Sequence, residues 1–228
     1  MSEQTQTIVP ATLRHELDAT ARHLATALPA DANQTIDAGI EAVKTSGIAS
    51  QTLEPGDQAP DFTLPDSGGQ PVTLSEALRN GPVVLTFYRG NWCPYCNVQL
   101  RAYQRALPDF AQYGATLIAI SPQTPDNTRR TADEKELQFP VLSDVGNGVA
   151  RQYGLAYAVG DAVYDTLKGV GIDLEAYNGD TSGELPLTGT FVIAPDGLIT
   201  WAQTDPNFKH RADPADILAA LDELDGDD

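Results

Sequence analysis

The most informative part of the sequence is Val83-Val84-Leu85-Thr86-Phe87-Tyr88-Arg89-Gly90-Asn91-Trp92-Cys93-Pro94-Tyr95-Cys96. Its first six residues are apolar, β-branched or aromatic, which is typical of a buried strand. A short turn follows, and Pro94 stands where proline is favoured, at the start of a helix. The stretch therefore predicts a strand, a tight turn and a helix, with both cysteines at the junction.

Strands and helices alternate on either side of this stretch. Residues 62–74 predict a β-hairpin, and residues 115–121 predict a second buried strand with another helix after it. Residues 190–202 predict a second hairpin that turns at Asp196-Gly197, and a last helix begins after Asp213. Strands joined by a helical crossover run parallel, whereas a hairpin adds antiparallel strands. The order predicts an α/β protein with a thioredoxin-like fold, in which helices flank a central mixed β-sheet.

Two regions stand outside this plan. Residues 1–55 place leucines on one helix face, so we expect an N-terminal helical extension followed by a thioredoxin-like domain over residues 56–228. The extension is interpreted as a packing element, a dimerisation arm or a cap over a site, and the sequence leaves these open. Residues 155–186 show weak periodicity and several glycines, which indicates an insertion.

The chain is strongly acidic. It carries 32 acidic and 14 basic residues, for a net charge of −18. Little is available to neutralise phosphates, so a nucleic-acid or anionic-membrane partner is disfavoured. The acidity indicates either a bias selected by a saline cytosol or an acidic docking face. Because no transmembrane helix or signal peptide is predicted, we expect a cytoplasmic protein.

Cys93 and Cys96 are the only two cysteines of the chain. Free N–H groups and the helix dipole favour a thiolate at a helix N-terminus, which lowers the pKa of a thiol there. Arg89 is close enough in sequence to add positive charge. Two cysteines at this spacing, beside a strand-helix-strand pattern, are typical of a redox pair. We therefore interpret Cys93 and Cys96 as catalytic residues that close a disulfide between them.

Other interpretations of the pair are weaker. A disulfide across so short a loop removes little chain entropy, so a purely structural role is disfavoured. A zinc site needs two more ligands, and no second cysteine pair exists. No Gly-x-Gly-x-x-Gly or phosphate loop is present, so neither a metal nor an organic cofactor is predicted. Trp92 either shapes a docking groove or simply packs against neighbouring side chains. Tyr95, between the cysteines, is expected to be exposed.

The motifs of residues 57 to about 224 resemble the peroxiredoxin-like branch of the alkyl hydroperoxide reductase C/thiol-specific antioxidant (AhpC/TSA) superfamily. The central motif is specific, and the others are supportive. The matching stretches are Gly56-Asp57-Gln58-Ala59-Pro60-Asp61-Phe62, Phe87-Tyr88-Arg89-Gly90-Asn91-Trp92-Cys93-Pro94-Tyr95-Cys96-Asn97, Ala119-Ile120-Ser121-Pro122-Gln123, Val141-Leu142-Ser143-Asp144, and Thr204-Asp205-Pro206-Asn207-Phe208 with Arg211.

The sequence departs from the superfamily's pattern at its centre. Typical members carry Pro-x-x-x-Thr-x-x-Cys, and a gapless alignment places Arg89 at the Pro, Cys93 at the Thr and Cys96 at the peroxidatic Cys. Thr188 stands where such enzymes carry an Arg and where thioredoxin-like relatives place a cis-Pro. The alignment favours Cys96 as the attacking thiol. Thioredoxin-like logic favours Cys93, which we expect to be the more exposed, so the assignment stays open.

Three functions follow from these observations. The resemblance implies a thiol-based antioxidant enzyme that reduces hydroperoxides through a Cys93/Cys96 dithiol-disulfide cycle, with a thioredoxin-like electron donor. The second hypothesis is a thioredoxin-type reductase of protein disulfides, and the third is a redox-sensing or interaction domain. Arg89 as a thiolate stabiliser and Trp92 beside the cysteines are supporting candidates. A homodimer is plausible from the N-terminal helices.

Overall fold

The structure, a computed structural model, describes residues 12–226. The strands are β1 (Thr63–Pro65), β2 (Pro71–Thr73), β3 (Val83–Phe87), β4 (Thr116–Ser121), β5 (Val141–Ser143), β6 (Ala156–Ala158), β7 (Glu184–Pro186), β8 (Thr188–Ile193) and β9 (Ile199–Asp205). The α-helices are α1 (Leu13–Ala27), α2 (Ala30–Thr45), α3 (Leu74–Ala77), α4 (Pro94–Phe110), α5 (Pro125–Glu134), α6 (Gly148–Gln152), α7 (Asp161–Gly169), α8 (Leu174–Asn178) and α9 (Pro214–Gly226).

A five-stranded mixed sheet with the order β5-β4-β3-β8-β9 forms the centre of the molecule. Strand β3 pairs in parallel with β4 and antiparallel with β8. Strand β5 continues the parallel half, and β9 continues the antiparallel half. The predicted mixed sheet is therefore confirmed, and the predicted hairpin of residues 62–74 forms as the antiparallel pair β1–β2.

The central strand β3 supplies both faces of the core. All five of its residues are buried, which explains its unbroken apolar composition. Side chains of a strand alternate between faces. Val84 therefore packs with the buried residues of α1, α4 and α9, whereas Val83 and Leu85 pack on the other face with Phe62 and other apolar residues.

The N-terminal helices pack over the end of the domain where α4 begins. Leu13 and Leu17 of α1 join the core beside α4, and Glu16 forms an ion pair with Arg105 of α4 at 2.7 Å. Helix α2 packs on α7 through Gly39, where an added Cβ would meet Val163 Cγ2 at 2.5 Å. The predicted helices are thus present from residue 13 onward. Residues 1–11 lie outside the described residues, and the domain boundary near residue 55 stays a prediction.

Residues 155–186 form a small unit of their own. Strands β6 and β7 pair antiparallel at its base, with Ala156 opposite Pro186. Helices α7 and α8 connect these two strands in the sequence. Their apolar residues form a separate small cluster with Val159 and Leu185. The segment forms a separate two-stranded sheet and contributes no strand to the central five-stranded sheet. Within residues 12–226 no helix is both long and apolar enough to cross a membrane.

Candidate active site

The turn between β3 and α4 holds both cysteines at the helix N-terminus. Cys93 is the residue before the first helical residue, with an extended backbone, and Pro94 occupies the first helical position. The turn requires glycine at position 90, where φ is +147°. A Cβ at this position would also meet Trp92 Nε1 at 2.5 Å, so the close packing of the turn excludes a side chain. The predicted strand-turn-helix junction is therefore present.

Both sulfur atoms are buried free thiols in this structure. Cys93 is 1% exposed and Cys96 is 0% exposed. The sequence predicts Cys93 to be the more exposed of the two cysteines, and the difference is small, because the N-terminal helices and residues 155–186 enclose the end of the domain where α4 begins. Cys93 nevertheless lines a cavity together with residues of these elements, whereas Cys96 does not line it.

The surroundings of Cys96 favour its thiolate form. Nη1 and Nη2 of Arg211 each lie 3.5 Å from its Sγ atom, and the backbone N–H of Arg89 donates to the same atom at 3.4 Å. Burial opposes ionisation, but the hydrogen bond from Cys93 and the charges of Arg211 and Arg89 outweigh it and hold the pKa of Cys96 well below its usual range. Cys96 is therefore the more readily ionised of the two thiols.

Cys93 has the opposite protonation behaviour. Burial raises its pKa well above the usual range, and the hydrogen bond to Cys96 with the negative charge of that thiolate raises it further. The helix N-terminus by itself favours ionisation of either cysteine, whereas the two guanidinium groups and the Arg89 N–H favour ionisation of Cys96. The surroundings of the pair thus favour ionisation at Cys96 and protonation at Cys93.

Arg211 belongs to a stretch that carries the family resemblance, but sequence reasoning gave it no role in the site. It lies before α9 and is buried. Its Nη1 donates to Gln99 Oε1 at 2.6 Å, and its Nε donates to the carbonyl oxygen of Phe208 at 2.8 Å. Gln99 Nε2 donates in turn to the hydroxyl of Tyr103 at 3.1 Å. This buried network fixes the guanidinium against Cys96. The sequence signal was its place in the matching stretch together with Thr204-Asp205-Pro206-Asn207-Phe208.

Arg89 is the second guanidinium near the pair. Its side chain is 4% exposed, and its guanidinium carbon stands 4.8 Å from the ring centre of Trp92 and 3.8 Å from that of Phe208. Within residues 12–226 it forms no ion pair with a carboxylate. Arg89 and Trp92 thus lie beside Cys93 and line the same cavity. The guanidinium of Arg89 packs against two aromatic rings.

Tyr95 and Thr188 are two further positions that the sequence analysis singled out. Tyr95 is buried rather than exposed, because its ring packs edge-on against Phe208 at 5.7 Å between centres. Thr188 occupies the position that an Arg or a cis-Pro takes in relatives, and residues 12–226 contain no cis peptide bond. The Thr188 hydroxyl is buried without a hydrogen-bond partner. Arg211 supplies a guanidinium to the site from a different part of the chain.

Among residues 12–226 no three His, Cys, Asp or Glu side chains converge as a metal site. His210 is exposed and contacts Asp205 at 2.7 Å between Nδ1 and Oδ2. The chemistry of the site is therefore that of two thiols and two guanidinium groups.

Comparison with known proteins places the chain among enzymes with this chemistry. The model of the AhpC/TSA family matches residues 55–202. The chain belongs to the AhpC/TSA family. It is 32% identical over 196 residues to the chloroplastic peroxiredoxin Q of Triticum aestivum, covering 85% of this chain and 79% of the relative. It is 33% identical over 169 residues to the chloroplastic peroxiredoxin Q of Sedum lineare, covering 73% and 78%.

A solved relative shows the same fold. The crystal structure of peroxidoxin BcpB from Mycobacterium tuberculosis superimposes with a TM-score of 0.60 at 27% identity, covering 75% of this chain and 98% of that one. Family membership confirms the predicted resemblance, the thioredoxin-like fold and the class of thiol-based antioxidant peroxidase. Peroxide substrates and thioredoxin-type reductants are properties of this family. Helices α1 and α2 precede the matched region.

Proposed function

We propose that this AhpC/TSA-family protein reduces hydroperoxides with Cys96 as the attacking thiolate and Cys93 as the resolving thiol. The observation that carries the proposal is the pair of 3.5 Å contacts from Arg211 to the Sγ atom of Cys96. A thiolate is the nucleophilic form of cysteine, and a buried guanidinium stabilises it without solvent screening. The gapless alignment with the superfamily motif supports the same assignment.

The first step is attack of the Cys96 thiolate on one oxygen of the hydroperoxide. The sulfur–oxygen bond forms while the oxygen–oxygen bond breaks, which gives a sulfenic acid on Cys96 and an alkoxide. The thiol proton of Cys93 passes to the alkoxide and yields the alcohol. The raised pKa of Cys93 keeps that proton in place until the leaving group needs it.

The second step closes the disulfide. The new Cys93 thiolate attacks the sulfur of the Cys96 sulfenic acid, and hydroxide leaves and takes a proton from solvent to become water. One hydroperoxide is thereby reduced to an alcohol and water while two thiols are oxidised to the Cys93–Cys96 disulfide. A thioredoxin-like dithiol then reduces this disulfide by thiol exchange.

Access to the sulfurs separates this function from the alternatives. A hydroperoxide enters the cavity that Cys93 lines and reaches Cys96 when the first turn of α4 shifts; reduction by a protein dithiol needs a larger opening of the same turn. A protein disulfide reductase works best with an exposed attacking sulfur, and here both sulfurs are buried. The burial therefore favours hydroperoxide reduction over reduction of protein disulfides.

The test is a stopped-flow measurement on the reduced protein and on its Cys93→Ser and Cys96→Ser variants. We expect the native protein to react with hydrogen peroxide far faster than free cysteine and to form the disulfide. The Cys93→Ser variant stops at the sulfenic acid, and the Cys96→Ser variant loses the fast phase. A native rate equal to that of free cysteine would overturn the proposal, and insulin reduction in its place would favour the disulfide reductase.

Two further expectations stay predictions. We propose a cytoplasmic location, which cell fractionation tests directly. We also propose a homodimer, which light scattering of the reduced protein tests. A protein with no turnover in either assay whose Cys93→Ser variant keeps its binding partner would instead be a redox-sensing domain.

A further inference from the structure

We propose that Gln123 is a positioning residue for the redox pair, because it holds the turn between β3 and α4 in the shape that aims two hydrogen-bond donors at Cys96. The inference rests on the proposed function, since it concerns the sulfur that attacks the hydroperoxide. Gln123 ends the stretch Ala119-Ile120-Ser121-Pro122-Gln123, one of those that carry the family resemblance. It lies two residues after the end of β4 and is fully buried.

The side-chain amide of Gln123 bridges the turn and α5. Its Oε1 accepts a hydrogen bond from the backbone N–H of Asn91, and its Nε2 donates to Thr131 Oγ1 at 2.8 Å. The Thr131 hydroxyl donates its own proton to the carbonyl oxygen of Asn127 at 2.8 Å, so it accepts from Gln123. This order of donors and acceptors fixes which end of the amide faces the turn.

One peptide group of the turn is held at both of its ends. The N–H of Asn91 and the carbonyl of Gly90 belong to the same peptide group. The N–H donates to Gln123, while the carbonyl accepts from the backbone N–H of Cys93 at 3.1 Å. Gly90 has a φ of +147°, and glycine by itself leaves the backbone wide conformational freedom. Gln123 removes this freedom from the turn.

The two hydrogen-bond donors to Cys96 lie on either side of this peptide group. Before it, the backbone N–H of Arg89 donates to Cys96 Sγ at 3.4 Å. After it, Cys93 donates to Cys96, and both hydrogen bonds favour the thiolate. Hydrogen bonds weaken steeply when they are misaligned. Rotation of the held peptide group would therefore move both donors away from the sulfur.

The other contacts of Asn91 hold the turn less firmly. Its Nδ2 donates to Glu134 Oε2 at 3.1 Å, and Lys135 Nζ donates to its Oδ1 at 2.5 Å. Glu134 is exposed and Lys135 is half-buried, and interactions of such charged groups with water present contribute little. The amide of Gln123 is buried, so leaving the Asn91 N–H without it would be costly. Gln123 is therefore the contact that decides the shape of the turn.

The test titrates the thiolate absorbance at about 240 nm against pH on the Cys93→Ser background, where Cys96 is the only thiol. Gln123→Met keeps the length of the side chain and removes the acceptor, so we expect the pKa of Cys96 to rise by about one unit. Ser143→Ala is the matched control, because Ser143 Oγ donates to the backbone carbonyl of Gln123. We expect this control to lower stability and to keep the titration curve of the background.

Two variants of Thr131 keep the test decisive where Gln123→Met fails to fold. Thr131→Ser keeps the hydroxyl that accepts from Gln123 Nε2 and loses a methyl group, whereas Thr131→Val keeps the shape and loses the hydroxyl. We expect the pKa of Cys96 to be unchanged in the serine variant and raised in the valine variant, because the amide is free to rotate only in the latter. A purely structural role would make the titration follow the loss of stability in urea, whichever atom is removed.

The variants leave in place the groups whose charges act on Cys96 or feel its charge. These groups are Arg89, Arg211, Tyr88, Tyr157 and Lys135. A shifted titration curve therefore reports how the turn holds its donors. Titration curves of Gln123→Met and Thr131→Val that coincide with that of the background would overturn the inference. The titration uses no peroxide, so this outcome is distinct from a native rate equal to that of free cysteine, which would overturn the proposed function.

Discussion

Arg211 and Cys96 are 115 residues apart in the chain, yet both terminal nitrogens of the guanidinium lie 3.5 Å from the Sγ atom. The contact brings the segment before α9 against the first turn of α4. It gives a buried cation to a buried thiolate, so each charge reduces the cost of burying the other. The reactivity of the site therefore depends on a tertiary contact that neither cysteine has in its own stretch of sequence.

Removal of this cation is the most direct test of the thiolate. In Arg211→Met the pKa of Cys96 rises toward the usual value of 9.0. Once the pKa lies above the pH of the assay, each further rise of one unit cuts the thiolate fraction about tenfold, and the rate with hydrogen peroxide falls with it. Thiolate absorbance at about 240 nm, titrated against pH on the Cys93→Ser background, measures the change. An unchanged titration curve would show that Arg211 does not stabilise the thiolate.

The hydrogen bond from Cys93 is separable from its role as the resolving thiol. Cys93→Ser keeps a donor beside Cys96, whereas Cys93→Ala removes it, so the pKa of Cys96 is higher in the alanine variant. Neither variant forms the disulfide, so both stop after one oxidation. Alkylation rates against pH compare the two variants directly. Coincident pH profiles would mean that the Cys93 donor is irrelevant to the thiolate.

Gln99 is a positioning residue that acts through Arg211. Its Oε1 accepts from Arg211 Nη1 at 2.6 Å. Gln99→Glu gives Arg211 a competing anion, so we expect a higher pKa of Cys96 and a slower reaction with peroxide at neutral pH. Gln99→Leu removes the acceptor and leaves a buried donor without a partner, which costs about 1–3 kcal/mol of stability. The pH profile of the oxidation rate separates the two effects, because a purely structural role would lower stability and leave the profile in place.

The lowered pKa of Cys96 also predicts how stability depends on pH. Since folding lowers this pKa, the thiolate stabilises the folded state above the usual value of 9.0, and the contribution is lost as the pH falls toward the lowered pKa. The raised pKa of Cys93 acts only above 9.0, where the unfolded chain ionises and the folded chain does not. Below pH 9.0 the dependence of the unfolding free energy on these two thiols therefore comes from Cys96.

Urea unfolding under reducing conditions measures this dependence. The difference in unfolding free energy between the native protein and Cys96→Ser should increase from about pH 6 to about pH 9, in favour of the native protein. A difference that stays constant or shrinks over this range would contradict a thiolate at Cys96. Cys93→Ser serves as the comparison, because Cys93 keeps its proton throughout the range in the folded state.

The sequence by itself determined the junction between β3 and α4. The buried apolar run, Gly90 in the turn and Pro94 at the helix start are local choices, so they are visible without the rest of the chain. The same holds for the mixed sheet, because short connections and hairpin turns fix which strands are parallel. The redox chemistry followed from two cysteines at one helix N-terminus.

Only the tertiary structure decided which sulfur is the thiolate. The helix N-terminus favours a charge on either cysteine, but the guanidinium of Arg211 and the N–H of Arg89 meet at Cys96 alone. The burial of Cys93 was equally invisible, since it comes from helices α1, α2 and α7, which lie far from it in sequence. Charge and burial are set by what surrounds an atom in space, and a single sequence specifies those neighbours only through the completed fold.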